Sequence, residues 1–545
     1  MTGCKSRLLT LGFFSALVLD LSGSSSRPAL STAYAESAVV PATHKSASVL
    51  PFIEDDFAAA HERAVQSQKL LVVDAWAPWC HTCLSMKNFV FTDPTLRPLA
   101  DKFVFLAVDT ELPANQDFVA RFPIRSWPTL LVIEPAVASA KPSAASTDKS
   151  SAAASDRIVA RLTGGMTASA LLASLQETLD ARSIAQPLLS RADAAAAAGQ
   201  AALAEELYAQ AATTPAWRGR ALLGQVQALR EMGWKTKCAE LGETTLRQLM
   251  QPAAAAAAAA NIKPDDKSAL YTDLAAYTAD CLDSYPDVDT RQRMRKSVLW
   301  SLEALVTDPQ AALATDDRSD GYGTLIELAD GLGDKPLGDR FARTRLQLLE
   351  TAAQAAPSPQ IAATFDAHRF DCYRRLHLYK EAEQMLLGSA RVLPSDYNPP
   401  ARLARLYFEM GRLDSALTLI TSAIAKASGP RRIGMYELRS SIQHGLGQTA
   451  DAITSLQAAM TLVQSQPRPF GAPPPAKLQS LQSLVTKLQA VLPEPTPAGE
   501  TTKPARAKPA PPPPPPPLVP MRPGEPVATK QRGIRNVARR DPSPK

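Results

Sequence analysis

Cys80 and Cys83 stand two residues apart at the junction of two strongly patterned stretches, and that junction constrains the fold more than any other feature of the chain. Before them runs Leu70-Leu71-Val72-Val73, a continuous apolar segment of strand length. After them comes Leu84-Ser85-Met86-Lys87-Asn88-Phe89-Val90, whose apolar residues recur at helical spacing. The order predicts a buried strand, a short turn and a helix that opens at the first cysteine. A thiol in that position meets unpaired backbone N–H groups and the positive end of the helix dipole. Both favour thiolate over thiol, and the thiolate is the attacking form in disulfide exchange. A two-residue gap lets the second sulfur close a ring with the first.

Further elements follow on both sides. Residues 36–51 read as a linker and Glu54 to Lys69 as a helix. Asp93-Pro94 opens a helical stretch from Thr95 to Lys102. Phe103 to Asp109 reads as a second central strand, apolar on both faces. Ala114 to Phe122 reads as a short helix and Leu130 to Ile133 as a third strand. The Ala-, Ser- and Lys-rich span 135–156 reads as a flexible insertion. Arg157 to Leu162 alternates like an edge strand, and Gly164-Gly165 turns the chain into a last helix, Thr167 to Ala181.

Residues 52–182 resemble the thioredoxin family. The marks are Asp74, Trp76, Ala77, Trp79, Cys80 and Cys83, with Asp109 ending the second central strand, Pro128 before the third, and Gly164-Gly165. The continuation Phe91-Thr92-Asp93-Pro94 is similar to the branch that includes the C-terminal domain of the transmembrane disulfide reductase of bacterial envelopes. The resemblance implies an α/β thioredoxin fold and thiol–disulfide exchange without a cofactor. It implies Cys80 as the attacking sulfur on the exposed side of the turn, Cys83 as the resolving one, and a redox-active Cys80–Cys83 disulfide. It implies that Asp74 deprotonates Cys83. A carboxylate on an otherwise apolar strand is desolvated, so its pKa rises and it can accept and return a proton. Pro128 is expected to be cis, facing the sulfurs and offering backbone groups to an extended substrate strand. Trp79, His81 and Trp127 complete the expected substrate-binding set.

His81-Thr82 replaces the Gly-Pro of reducing thioredoxins. A protonated imidazole there would stabilise the reduced form and make the disulfide more oxidising, whereas the branch resemblance points to a reductase. Zinc or copper on Cys80, His81 and Cys83 is the rival reading. It is set aside because zinc sites usually have four ligands and no second Cys/His cluster lies near in sequence.

From Ile184 to Leu492 the chain reads as helices. Ala382, Ala416 and Ala452 recur at intervals of 34 and 36 residues, with Gly411 and Gly447 ahead of the last two. A period near 34 is the tetratricopeptide signature. Three such repeats occupy 363–465, Leu203 to Ala212 and Arg220 to Leu249 read as degenerate copies, and the register of 253–362 is not assigned. Stacked hairpins of this kind make concave surfaces for peptides or partner proteins. Cys238, Cys281 and Cys372 are read as buried small hydrophobes, with a Cys238–Cys281 disulfide as the alternative. His368, His377 and His444 are read as surface residues.

The ends differ from the body. Residues 1–35 carry Lys5 and Arg7, an apolar run from Leu8 to Leu21, and Ala33-Tyr34-Ala35 before Glu36, the pattern of an export signal; an uncleaved anchor is the alternative. Residues 493–545 are Pro-, Lys- and Arg-rich and are expected to be disordered. From Thr501 onward ten basic residues face two acidic ones, so the tail alone carries more than the chain's net +6. The folded body therefore has no electrostatic support for nucleic-acid binding. The tail or the signal segment is where any membrane contact would arise.

The expectation is thus an exported, periplasmic or envelope thiol–disulfide oxidoreductase that exchanges with protein substrates and a redox partner, the repeats recruiting one or the other. The alternative is a non-catalytic envelope scaffold or redox sensor that binds proteins through its repeats.

Overall fold

The computed structural model describes residues 48–136, 156–181, 188–214, 218–249, 264–311, 313–465 and 476–491. The expected export signal and the tail lie outside the described residues, as do most of the expected linker and all but the ends of the expected insertion 135–156.

Five strands form one sheet in the order β1 (Phe52–Glu54), β3 (Phe103–Asp109), β2 (Leu70–Trp76), β4 (Thr129–Glu134), β5 (Arg157–Thr163). β2 lies at the centre, parallel to β3 and antiparallel to β4, with Asp74 level with Ala107 on one side and Leu130 on the other. Its residues from Leu70 to Ala75 are all buried, because helices cover both faces. That burial is why the sequence shows a continuous apolar run there rather than an alternation. On one face α4 (Ala168–Ala181) packs through Leu171 and Leu175. On the other, α1 (Phe57–Ser67) packs through Ala60 and Ala64.

Two expectations change at this level. The stretch from Glu54 does not begin a helix. Phe52–Glu54 pairs in parallel with β3, and Asp55 takes a left-handed backbone (φ 56°) that breaks the chain. The Asp56 carboxylate then accepts a hydrogen bond from the Ala59 N–H at 2.9 Å, so α1 starts at Phe57. β5 does lie at the edge of the sheet, but its residues from Ile158 to Leu162 are buried on both faces. The helix Leu188–Ala197 packs against it, and the Asp193 carboxylate accepts hydrogen bonds from the Arg161 backbone and the Tyr208 hydroxyl while pairing with Arg220.

Beyond α4 the described chain is helical hairpins. The expected repeats appear as 366–375 with 379–392, 398–409 with 413–426, and 431–445 with 449–465. Ala382, Ala416 and Ala452 are fully buried where paired helices touch. Hairpin turns carry a left-handed residue at Gly199, Gly233, Gly333, Gly411 and Gly447, and His377 takes that role in the turn between 366–375 and 379–392. The middle helices Pro264–Leu282, Val288–Thr307, Thr315–Gly331 and Lys335–Ala355 are 19, 20, 17 and 21 residues long. Hairpins of that length exceed a 34-residue period, which is why no register emerges from the sequence. Cys238 and Cys281 are buried and form a disulfide between Lys235–Leu249 and Pro264–Leu282, the alternative of the two readings; Cys372 is free and buried. Among the described residues no helix is long and apolar enough to cross a membrane.

Candidate redox site

β2 delivers its C-terminal end to a turn, Ala77-Pro78-Trp79, and Cys80 caps the helix α2 (His81–Ser85). The Cys80 N–H bonds to the Ala77 carbonyl at 3.0 Å, and the Cys80 carbonyl accepts the first helical N–H from Leu84 at 3.0 Å. The Cys83 N–H points at Cys80 Sγ, 3.0 Å away. This is the helix-terminus environment that favours a sulfur anion. The two sulfurs are joined as a disulfide with Cα atoms 5.2 Å apart.

Asp74, near the C-terminal end of β2, is wholly buried, and neither carboxylate oxygen has a hydrogen-bond partner. Burial pushes its carboxyl up to about 7 against the pull of the Lys87 ammonium, with Glu54 adding a smaller upward push. Lys87 sits 3.6 Å from the centre of the Trp76 ring. Trp76, Trp79 and Trp127 pack around Ala77, Cys80 and Cys83, and Trp79 meets Trp127 edge-on at 5.2 Å. The Trp127–Pro128 peptide is cis, and the Pro128 carbonyl accepts the Gly164 N–H at 3.1 Å. The structure thus gathers Trp79, Trp127, Cys80 and Cys83 in one cluster, with Asp74 two residues before Trp76 on β2 and Pro128 next to Trp127 in the chain.

What the sequence does not reveal is that the helical domain closes over this turn. Cys80, expected on an exposed side, is only 4% accessible. On one flank Asn398 donates to the Pro78 carbonyl at 3.1 Å. Nearby, Glu111 accepts from the Trp79 indole at 3.1 Å with one oxygen and from the Arg431 backbone at 3.0 Å with the other. The Arg431 guanidinium lies over the Trp79 ring, 5.3 Å from its centre. On the other flank His81, expected among the substrate-binding residues, is turned into the helical domain. Its Nδ1 lies 3.1 and 3.2 Å from the two Asp316 oxygens. Its ring lies against that of His368, centres 3.4 Å apart. His368 is buried, not a surface residue, with Nδ1 2.9 Å from the Ser319 hydroxyl and Nε2 3.4 Å from Asp320. Arg345 donates to the same hydroxyl at 3.0 Å. Gly164 and Gly165 do more than turn the chain: a Cβ at Gly165 would lie 2.5 Å from Asp317 Oδ1 and 3.0 Å from the Thr82 methyl. The one sequence signal for this contact is the polar, acidic start Thr315-Asp316-Asp317-Arg318-Ser319-Asp320 on a segment otherwise destined for packing.

His81, Asp316 and His368 place donor atoms within 4.8 Å of one another. Zinc sites usually have four ligands, and these side chains already pair with one another and with Ser319 and Asp320. The cationic Arg345 shares the pocket, and a hydrogen-bonded charge cluster fits these side chains better than a metal centre.

Residues 53–135 match the family model described as thioredoxin-like. The chain carries a thioredoxin-like domain. Among curated proteins it is similar to thioredoxins of Griffithsia pacifica, 31% identical over 72 residues, and Chlorobaculum thiosulfatiphilum, 32% over 72 residues. Each alignment covers 13% of this chain and 62% or 61% of the relative, so the chain spans about three fifths of the relatives it matches. Among solved structures it is similar to a tetratricopeptide repeat protein from Parabacteroides merdae, with a TM-score of 0.36 at 13% identity over 55% of this chain and 97% of that one. It is also similar to the TPR2AB domain of yeast Sti1, with a TM-score of 0.21 at 13% identity over 46% and 99%. The thioredoxin-like domain is followed by tetratricopeptide-like helical hairpins, and the dithiol of the first is enclosed by the second.

Proposed function

We propose that this chain is a thiol–disulfide oxidoreductase of an oxidising, extracytoplasmic compartment, with Cys80 attacking, Cys83 resolving and Asp74 handling the proton. The observation that carries the reading is the Cys80–Cys83 pair at a helix start, on a strand-to-helix turn whose strand holds the buried, unpartnered Asp74 carboxylate. In the reducing direction the Cys80 thiolate attacks one sulfur of a substrate disulfide. That S–S bond breaks and the departing sulfur leaves as a thiolate. Asp74 takes the Cys83 proton, and the Cys83 sulfur then attacks Cys80 Sγ. The second substrate sulfur departs, and two electrons have passed from the pair to the substrate. Oxidation of a substrate dithiol runs the same steps backwards. No cofactor is called for.

The substrates are protein disulfides or dithiols, and the helical repeats recruit them or a redox partner. Because Asn398 and Arg431 hold the Pro78–Trp79 turn, a protein reaching Cys80 must part those contacts. In this reading the repeats gate the dithiol as well as recruit for it. Export is supported by the N-terminal segment and by the Cys238–Cys281 disulfide, a bond that persists in oxidising compartments. A second reading, a scaffold whose dithiol senses redox state without turning over, is favoured by the near-complete burial of Cys80.

The test is insulin-disulfide reduction by the full chain with dithiothreitol as electron source, beside C80S. Multiple turnovers lost in C80S are expected. A wild-type rate equal to that of C80S defeats the enzymatic reading, and a reversible disulfide without turnover moves the conclusion to the sensor.

A further inference from the structure

The oxidoreductase reading leaves unexplained why a buried acidic cluster from the helical domain meets the residue next to Cys80. The contact is specific. Both Asp316 oxygens face His81 Nδ1, and side-chain exposures are 6% for His81 and 3% for Asp316. Thr82 reaches Asp320 at 3.4 Å, and His81 Nε2 lies 3.7 Å from the same carboxylate. The rest of the pocket is assembled from two more helices. Arg345 and Ser319 brace His368, and His368 supports the His81 ring from the far side. We propose that Asp316 is a positioning residue of the redox centre: its carboxylate, supplied by the helical domain, holds the His81 ring as a cation beside Cys80 and biases the pair toward the dithiol.

The proposal rests on the redox reading above and adds a second domain to it. Burial alone works against a charged imidazole, and without a carboxylate a ring this deep would be neutral. Asp316, and after it Asp320, overcome that cost despite the nearby Arg345, so His81 holds its proton above the usual histidine range. His368, facing the same ring, is driven the other way by burial and by Arg345 and stays neutral. One positive ring thus lies next in sequence to the sulfur that becomes an anion on reduction. A cation there stabilises the thiolate, hence the reduced form, and raises the oxidising power of the disulfide. In glutathione buffer the balance is explicit. The Cys80–Cys83 bond breaks and a bond forms between two glutathione sulfurs. Two electrons pass to the protein. Of the two glutathione protons, one rests on Cys83 and the other is released when Cys80 stays a thiolate.

The experiment is a glutathione redox titration of the full chain at pH 7, read by alkylation and mass shift, for wild type, D316N, H81Q and the double variant. D316N keeps the side-chain shape and removes the charge. The expected result is a shift of about tenfold in the equilibrium toward the disulfide, equivalent to about 30 mV. H81Q should give a similar shift, and D316N should add less than twofold on top of H81Q. A merely structural Asp316 would not produce that coupling. The wild-type advantage should also fade as the pH climbs through the His81 pKa, because the raised-pKa cation is present below it and lost above it. Wild type that titrates while D316N stays within twofold of it overturns this inference alone. Wild type with no reversible titration overturns the redox reading and the inference together. If D316N does not fold, H81Q decides, and an unshifted H81Q overturns the proposal. One equivalent of tightly held zinc in wild type, lost in D316N, also overturns it.

Discussion

Asp74 is the residue whose chemistry follows most directly from its surroundings. An apolar strand buried on both faces leaves its carboxylate without a protein donor, and burial lifts its carboxyl to about 7. The folded chain therefore keeps a proton there that the unfolded chain releases near pH 4. The stability this contributes is fully present below about pH 4 and is lost as the pH rises through about 7. D74N removes the loss. Its stability relative to wild type should rise by a few kcal/mol between pH 4 and pH 8, measured as urea midpoints of the oxidised chain at both values. The same variant should slow resolution of a mixed disulfide at pH 7 by at least about tenfold, measured by stopped flow. Stabilisation without slowing would leave Asp74 a structural residue. Asp74 was legible because one acid interrupts Leu70 to Ala75. Lys87, which tempers it from above the Trp76 ring, was not, since a lysine in an amphipathic helix gives no sign of what it covers.

At the level of elements, legibility followed length and local chemistry. β2, β3 and the hairpins between 366 and 465 came through because their patterns run long enough to be periodic. β1 is three residues long, and its partner β3 lies some fifty positions away, so nothing local announces it. The Cys238–Cys281 bridge was left open for a related reason, since distance between helices is not written in either helix. It closes a 43-residue separation between Lys235–Leu249 and Pro264–Leu282. Replacing both cysteines by serine should lower stability by about 2–4 kcal/mol, read from urea unfolding of the full chain, and should leave insulin reduction unchanged. A loss of activity equal to that of C80S would mean that the bridge takes part in exchange.

For the whole molecule, the decisive contacts join residues that are 235 and 320 positions apart: His81 with Asp316, Pro78 with Asn398, Glu111 with Arg431. No periodicity or motif links such pairs, so the enclosure of the dithiol was invisible in the sequence although each partner domain was recognisable. The joint can be loosened at one point. Gly429 has φ +65°, and a Cβ there would lie 2.5 Å from the Glu111 carbonyl oxygen. G429A should push the Arg431 segment off Glu111 and speed iodoacetamide alkylation of Cys80 in the reduced chain severalfold, with the alkaline limb of the pH profile unmoved. Rates within twofold of wild type would mean that this contact does not govern access.

Residues 78, 79, 81 and 82 each bond to, or stack on, a helix that comes hundreds of positions later. The short cassette spanning the cysteines is consequently not interchangeable. Grafting Gly-Pro between the sulfurs would leave the Asp316 carboxylate in the interior without its His81 partner and unpick a seam between two halves. Here electron chemistry and architecture are written in the same four letters.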